Sequence, residues 1–262
     1  MKRIVAAATH PVLLSSAQVS EFERDGFVVV RKFYDAAQTA EIERWTDELS
    51  ALPEEPGKHW VYREESLRSP AHHIVQRIEK FTEVHPGFAG LFHDGSLHHA
   101  VSELLGDEAV LFKEKINYKL PGGQGFKAHQ DVLAGWNAYA PFYVTALVAI
   151  DECTEENGCL EMAAGWHRRG LLSEEWKPLT EETIARMEFV PCPTEPGDVI
   201  FFDSFAPHRS GPNPTDHARR VLYVTYNRAS DGDHRERYFA DKHRSFPPDV
   251  ERKPGEVYVF RV

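Results

Sequence analysis

Three polar residues are spaced as a metal centre would require: His129 and Asp131 in GFKAHQD, and His208 in PHRSG. In an extended segment, residues i and i+2 point to the same side, so His129 and Asp131 can face one metal while Gln130 points away. His208 follows the apolar run DVIFFD, which predicts a strand that returns the chain to the same place. Two imidazoles and one carboxylate leave other coordination positions open, which suits non-haem Fe(II) that activates O₂.

A His-x-Asp pair alone is a weak indication because the chain contains 14 histidines. Further support comes from Arg219 and Arg220, which follow His208 at the start of the apolar run VLYVTYN. An arginine binds a carboxylate through two parallel hydrogen bonds, as an iron-bound 2-oxo acid would require. Ser210 would add a hydroxyl group beside it. The alternative for an arginine at a strand start is a surface ion pair, and we expect one of the two to be of that kind.

The composition indicates a globular protein that binds a small molecule. The chain has 262 residues, 42% of them hydrophobic, and its 30 basic against 41 acidic residues give a net charge of −11. This charge argues against a nucleic-acid partner or an anionic membrane surface. The three cysteines are odd in number and form no C-x-x-C pair, which favours a reducing cytoplasm. MKRIVAAATHP is too short for a signal peptide, and no run approaches the length of a membrane span.

The patterns predict helices first and strands afterwards. Residues 1–108 read as mainly helical, including a helix that begins with an Asp35/Gln38 capping box. From residue 109 strand-like runs dominate, which argues against a doubly wound nucleotide-binding fold and favours an antiparallel barrel buttressed by helices. The predicted strands are AVLFKEKINYKL, YVTALVAIDE, DVIFFD, RRVLYVTYN and EVYVFRV.

Four segments follow one another in the order and at separations like those of a known family: KINYKLPGGQGFKAHQD, AIDECTEENGCLEMAAGWH, PGDVIFFDSFAPHRSGPN and RRVLYVTY. They resemble the phytanoyl-CoA dioxygenase family of Fe(II)- and 2-oxoglutarate-dependent oxygenases. The resemblance implies a mainly β fold with flanking helices and a double-stranded β-helix (jelly-roll, cupin-like) core. It implies one domain over 1–262, in which 1–108 form a helical buttress with substrate loops and 109–262 form the jelly roll.

The resemblance also implies the cofactors and their ligands. The expected iron ligands are His129, Asp131 and His208, and the co-substrates are 2-oxoglutarate and O₂. Since the carboxylate of Asp131 is retained, hydroxylation or desaturation is favoured over halogenation, in which related enzymes open that position for chloride. The expected 2-oxoglutarate contacts are Arg219, with Arg220 as the fallback, and Ser210, Lys115 and Gln130.

The substrate is less well defined by the sequence. HWVYRE, RIEKF and KEKINYKLPGG resemble bacterial members that hydroxylate small polar molecules, so an aminoalkylphosphonate or a quaternary amine is expected. A phosphonate would need basic partners, and aromatic residues could receive an ammonium group or simply pack the core. The expected basic partners are Lys113, Lys115, Lys119 or Arg63, and the expected substrate contacts are Asn117, Trp136, Tyr139, Trp60 and Tyr62.

Two other classes remain open at this point. The same His-Asp-His set could hold zinc or another metal in a cupin-like hydrolase or isomerase, because ligand type alone does not exclude zinc. The chain could also be a non-catalytic binding protein that retains the fold. A monomer or a homodimer is expected in each case.

Overall fold

The computed structural model describes residues 12–258, and two antiparallel β-sheets form the centre of the molecule. The strands are β1 (Phe27–Val30), β2 (Trp60–Ser66), β3 (Ser69–Glu79), β4 (Ala109–Lys119), β5 (Phe126–His129), β6 (Val144–Ala149), β7 (Leu160–Met162), β8 (Val190–Cys192), β9 (Val199–Asp203), β10 (His208–Ser210) and β11 (Arg219–Arg228). The helices are α1 (Ser16–Asp25), α2 (Ala36–Ser50), α3 (Pro86–His93), α4 (Ser96–Leu105), α5 (Glu181–Ile184) and α6 (Arg235–Ser245).

The large sheet has the order β1-β9-β6-β11-β4-β3-β2 and the small sheet the order β5-β10-β7-β8. Non-consecutive strands lie side by side in both sheets, as the connections of a jelly roll require. The prediction of a mainly β fold with flanking helices is confirmed.

Alternation along the central strands separates two hydrophobic layers. On β11, Leu222 and Val224 pack outward in one cluster with residues of α1 to α4, whereas Val221 and Tyr223 pack inward against the small sheet. The helices therefore cover the outer face of the large sheet, and the inner face is left for the site.

Local signals in the sequence explain where the first helices begin and end. Asp35 caps α2 through a reciprocal capping box with Gln38, as predicted. Gly26 ends α1 in a left-handed conformation, φ 84°, which glycine adopts without steric cost. A side chain at Gly26 would in addition collide with His167, 2.4 Å from an added Cβ.

Two regions differ from the sequence-based expectations. Residues 60–79, expected as substrate loops, form the hairpin β2–β3, which extends the large sheet because Arg77, Ile78 and Glu79 pair with β4. Residues 256–258 of the predicted strand EVYVFRV carry no strand, and its remainder lies outside the described residues, as does 1–11. Within 12–258, no helix is long and apolar enough to cross a membrane.

Candidate active site

The three predicted metal ligands meet where β5 and β10 pair. β5 ends at His129 and β10 begins at His208, and the two residues lie opposite each other in the antiparallel register. The extended backbone of Gln130, φ −111° and ψ 138°, keeps the alternation up to Asp131, which begins a short 3-10 helix. Asp131 Oδ1 lies 3.8 Å from Nε2 of His129 and 3.9 Å from Nε2 of His208. One donor atom from each of the three residues lies within 4.8 Å of the others, so the set can surround a single ion.

Both imidazole rings are held in the tautomer that leaves Nε2 available to a metal. Nδ1 of His129 lies 2.7 Å from the carbonyl oxygen of Lys127, and Nδ1 of His208 lies 3.0 Å from that of Ala206. Because a carbonyl oxygen only accepts, each Nδ1 carries the proton and donates it. Burial lowers the pKa of both histidines, and the neighbouring His208 helps to bring that of His129 to about 3. Both rings are therefore neutral, which is the form that binds metals.

Asp131 completes the set as an ionised carboxylate. Burial opposes its ionisation, but His208 and Lys115 outweigh this effect and hold the pKa of Asp131 below its usual value. Its second oxygen, Oδ2, accepts the Thr145 hydroxyl at 3.5 Å, and Thr145 lies 2.9 Å from the hydroxyl of Thr225. Two neutral imidazoles and one carboxylate suit Fe(II) and leave the far side of the ion open.

Arg219 and Arg220 have different environments although they are neighbours on β11. Arg219 is 1% exposed, and its Nε has no hydrogen-bond acceptor among residues 12–258. Arg220, by contrast, is satisfied by the protein, because its Nη2 lies 2.8 Å from Oδ1 of Asp151 and its Nη1 2.6 Å from Oδ1 of Asp47. A buried guanidinium without an anion indicates a ligand that supplies one. The structure therefore does not support Arg220 as the fallback clamp.

Lys119 of β4 bonds to Ser210 and lies beside Arg219 of β11. It is the register partner of Arg219 in the β4–β11 pair. Its Nζ lies 2.7 Å from Oγ of Ser210 and also donates to the carbonyl oxygens of Gly158, at 3.1 Å, and Gly211, at 2.5 Å. Burial, followed by the nearby Arg219, lowers the pKa of Lys119 to about 6. Lys119 is thus engaged in holding two loops and Ser210 together, a role that the sequence did not reveal.

Lys115 and Asn117 lie at alternate positions on the inner face of β4. Lys115 Nζ lies 4.7 Å above the ring of Tyr223, and within 12–258 it has no hydrogen-bond or ion-pair partner. Burial and the neighbouring Lys113 lower the pKa of Lys115 to about 8. Asn117 is 4% exposed, and its Oδ1 has no donor in the described part of the chain. Both side chains therefore offer polar groups to a bound molecule.

Gln130 is directed away from the metal ligands, and its amide bonds backbone groups of the protein, so its conformation does not favour the expected 2-oxoglutarate contact. Its amide nitrogen donates to the carbonyl oxygens of Gly170, at 2.9 Å, and Phe205, at 2.7 Å, and its amide oxygen accepts from the backbone N–H of Leu172 at 2.8 Å. The alternation that turns His129 and Asp131 toward the metal turns Gln130 the other way. Gln130 holds three backbone segments together behind the ligands.

A cavity of about 390 Å³ opens beside His129. Tyr62 and Arg77 from the β2–β3 hairpin line it, together with Phe246 from the end of α6. The guanidinium of Arg77 lies 4.3 Å above the Tyr62 ring, and the Tyr62 hydroxyl donates to the carbonyl oxygen of Phe246 at 3.0 Å. The predicted substrate contact Tyr62 therefore lies in the wall of a cavity that reaches a metal ligand.

The other predicted aromatic contacts divide into two groups. Tyr139 lines a second cavity, of about 710 Å³, and its hydroxyl donates to Oδ2 of Asp241 at 2.7 Å. Trp136 is buried next to Tyr139, and its Nε1 has no acceptor within 12–258. Trp60 lines neither cavity and packs edge-on against Phe239 of α6, with ring centroids 5.2 Å apart, an arrangement that favours a packing role over a substrate contact.

A charged cluster that was not predicted from the sequence includes Lys242 of α6. Glu79, 1% exposed, accepts from Nε of Arg77 at 2.6 Å and pairs with Lys242. Arg77 and Glu79 flank the apolar Ile78, so alternation could have placed them on one face. Lys242 lies one helical turn after Tyr238, and this spacing was the available signal in α6.

Comparisons with known proteins agree with this site. The chain matches the phytanoyl-CoA dioxygenase (PhyH) family over residues 22–221. It is 39% identical over 242 residues to a 2-aminoethylphosphonate dioxygenase from uncultured bacterium HF130_AEPn_1, and the match covers 92% of each chain. It is 38% identical over 244 residues to a methylphosphonate hydroxylase from Gimesia maris, covering 93% of this chain and 92% of that one.

The fold is similar to solved structures of EctD from Sphingopyxis alaskensis. One, with 2-oxoglutarate and 5-hydroxyectoine, has a TM-score of 0.70 at 25% identity and covers 87% of this chain and 81% of that one. Another, with bound Fe, has a TM-score of 0.70 at 26% identity, covering 86% and 80%. The histidine and aspartate donors fit iron, and the unpaired Arg219 fits a dicarboxylate. The chain thus belongs to the phytanoyl-CoA dioxygenase family and is an Fe(II)- and 2-oxoglutarate-dependent dioxygenase.

Proposed function

We propose that this dioxygenase hydroxylates a C–H bond of a small organophosphonate, such as an aminoalkylphosphonate. The two relatives named for 2-aminoethylphosphonate and methylphosphonate match over more than nine-tenths of each chain. Methylphosphonate has one carbon, so its hydroxylation must occur at the carbon bonded to phosphorus. A substrate of this class therefore places its phosphonate group close to the metal.

The observation that carries the proposal is the charge of the interior. On the inner face of the large sheet, around the metal ligands and Glu79, buried or half-buried cations outnumber the anions Glu79 and Asp131, although the whole chain carries a net charge of −11. The buried carboxylates Glu114 and Asp198 lie elsewhere and are already paired with Arg235 and Arg31. Cations removed from water are costly unless anions accompany them. Two anionic guests, a dicarboxylate and a phosphonate, would supply that charge. The cations are Arg77, Lys113, Lys115, Arg219 and Lys242.

The residues of the chain would divide the work as follows. His129, Asp131 and His208 hold the metal, and Thr145 orients the free carboxylate oxygen of Asp131. Arg219 binds the distal carboxylate of 2-oxoglutarate, with Ser210 and Lys115 as further contacts. When bound, iron and 2-oxoglutarate use O₂ to convert a substrate C–H to C–OH, releasing succinate and CO₂. The aromatic walls exclude water from the reacting carbon.

A quaternary amine is disfavoured because Trp136, one of the aromatic residues that first suggested it, already contacts a lysine of the protein. The rings of Trp136 and Tyr238 already lie 4.9 and 5.5 Å from Nζ of Lys113. A ligand cation would have to share these rings with a buried lysine, and the like charges would repel.

The three cysteines are free and buried, which supports the proposed reducing compartment.

Succinate release in the presence of Fe(II), O₂ and 2-oxoglutarate tests the proposal. The panel contains 2-aminoethylphosphonate and methylphosphonate, their sulfonate and carboxylate analogues, and quaternary amines. We expect the phosphonates to stimulate succinate release with matching amounts of hydroxylated product. Stimulation by a quaternary amine and by no phosphonate would refute the assignment.

A further inference from the structure

We propose that Lys113, together with Arg77 and Lys242 held around Glu79, forms the subsite that recognises the phosphonate group of the substrate. This inference rests on the proposed function and deepens it. It assigns substrate recognition to residues of β3, β4 and α6. Of these, α6 begins at residue 235 and lies beyond the matched family region, which ends at residue 221.

Lys113 is a buried cation that the protein does not satisfy. It is 7% exposed, and within residues 12–258 its Nζ has neither a hydrogen-bond acceptor nor an ion-pair partner. Its Nζ instead lies 4.9 Å from the ring centroid of Trp136 and 5.5 Å from that of Tyr238. Ring faces attract a cation but accept no full hydrogen bond, so the three donors of the ammonium group remain available.

The position of Lys113 suits a ligand that reacts at the metal. It lines the cavity of about 710 Å³ together with Tyr238 and Lys242. Lys113 is the register partner of Thr225, whose hydroxyl lies 2.9 Å from that of Thr145, and the Thr145 hydroxyl donates to Oδ2 of Asp131. Burial lowers the pKa of Lys113, while Glu79 and Asp131 act to raise it. An anion bound to Lys113 would therefore lie between the metal and α6.

Glu79 forms ion pairs that position the neighbouring cations Arg77 and Lys242. Burial opposes its ionisation, but Lys242, Arg77 and Lys113 outweigh this effect and keep the pKa of Glu79 well below its usual value. One carboxylate thus faces three cations, and the cluster carries more positive charge than it can neutralise internally. A phosphonate, which carries up to two negative charges and three acceptor oxygens, matches three cationic donors better than a carboxylate does.

Helix α6 is fixed firmly enough to present Lys242 in a defined position. Arg235, in its first turn, pairs with the buried Glu114 of β4 and with Glu83, the latter at 3.1 Å. Tyr139 donates to Asp241, one residue before Lys242. Phe246, which ends the helix, stacks on Tyr62 with ring centroids 5.3 Å apart and lines both cavities. The end of the helix therefore contributes to the walls of both cavities.

The test compares Lys113→Met with Lys58→Met, a substitution of an exposed lysine away from both cavities. Methionine keeps an unbranched apolar stem and removes only the charge. Binding of 2-aminoethylphosphonate is measured by calorimetry under anaerobic conditions, with the iron site filled and 2-oxoglutarate present. We expect Lys113→Met to weaken phosphonate binding by about 100-fold, since truncating one partner of a buried charge pair is costly. Lys58→Met should leave it unchanged.

Two further readouts separate recognition from a merely structural role. Without substrate, Lys113→Met should unfold at a temperature close to that of the wild type, because Lys113 has no hydrogen-bond or ion-pair partner among residues 12–258 and Glu79 keeps its direct partners Arg77 and Lys242. Its affinity for 2-oxoglutarate should change less than twofold. Lys242→Met, which leaves Glu79 paired with Arg77, should weaken phosphonate binding in the same direction as Lys113→Met and supplies a second variant.

The outcomes distinguish this inference from the proposed function. If the wild type hydroxylates a phosphonate but Lys113→Met and Lys242→Met bind it as tightly as the wild type, the subsite is wrong and the function stands. If the wild type neither binds nor hydroxylates any phosphonate, both proposals fall. If the variants lose 2-oxoglutarate affinity as strongly as phosphonate affinity, the cluster serves the co-substrate, and the subsite assignment is overturned.

Discussion

Arg219 and Arg220 are adjacent on β11, yet their guanidinium groups lie on opposite faces of the large sheet. Arg219 is buried at the inner face without an anion from the described residues, whereas Arg220 binds Asp151 and Asp47. The ion pairs of Arg220 with Asp151 and Asp47 hold this arginine at the outer face. Arg219 is the arginine that we propose as the 2-oxoglutarate clamp, and the two residues can be compared directly by mutation.

Replacing each arginine by alanine should affect different properties. Arg219→Ala should raise the KM for 2-oxoglutarate by about 100-fold, because a desolvated charged contact is lost. Arg220→Ala should leave this KM within about twofold and lower the free energy of unfolding by about 1–3 kcal/mol through loss of its paired hydrogen bonds. Succinate assays over a range of 2-oxoglutarate concentrations and thermal unfolding measure both effects. The reverse ranking in KM would show that Arg220 is the clamp.

The affinity for 2-oxoglutarate should depend on pH through Lys115. The pKa of Lys115 is about 8 in the folded protein without ligands, lowered by burial and Lys113 against the opposing effects of Asp131 and Glu79. A dianion binds the ammonium form, so affinity should fall as pH rises above about 8. Calorimetry with an inert metal in the site can measure this decline. A decline of equal size in Lys115→Met would assign it to another group.

The lowered pKa of Lys115 should make the folded protein more stable as pH rises, whereas the affinity for 2-oxoglutarate falls. Between pH 8 and the usual lysine value of 10.5, the unfolded chain binds a proton at Lys115 that the folded chain does not. The free energy of unfolding contributed by Lys115 therefore rises with pH in this window, by up to about 1.4 kcal/mol per pH unit. Denaturant unfolding of the metal-free wild type and of Lys115→Met should diverge with this slope. Parallel curves would contradict the depressed pKa.

Gln130→Leu should reduce stability rather than co-substrate binding. The change leaves two carbonyl groups and one N–H without their amide partner, and we expect a loss of about 2–4 kcal/mol. The KM for 2-oxoglutarate should stay near that of the wild type in protein kept well below its unfolding temperature. A variant with unchanged stability and a much higher KM would restore Gln130 as a co-substrate contact.

The sequence predicted those parts of the site that depend on local spacing. Alternation placed His129 and Asp131 on one side, and the apolar strand before His208 returned it to the same point. Local spacing could not tell which arginine is paired, because Asp151 and Asp47 come from distant parts of the chain. The motif His-Gln-Asp suggested a role for Gln130 that its loop contacts do not favour.

The cluster around Glu79 was harder to predict for a related reason. The sequence predicts a loop region around Arg77 and Glu79. The hairpin that contains them is aligned by its pairing with β4, which is a tertiary contact. Lys242 reaches Glu79 across a sequence separation of 163 residues. Trp60 was expected to contact the substrate, but it packs against Phe239 of α6. This tertiary contact could not be predicted from a local sequence pattern.

The most direct test of the central claim is succinate formation by the wild type and by Asp131→Ala with Fe(II), O₂, 2-oxoglutarate and 2-aminoethylphosphonate. The account predicts that the wild type forms succinate and hydroxylated phosphonate in equal amounts. Asp131→Ala should remain folded, as judged by circular dichroism and unfolding temperature, and lose both products together with Fe(II) binding. Unchanged succinate formation in Asp131→Ala would contradict the assignment of the metal site.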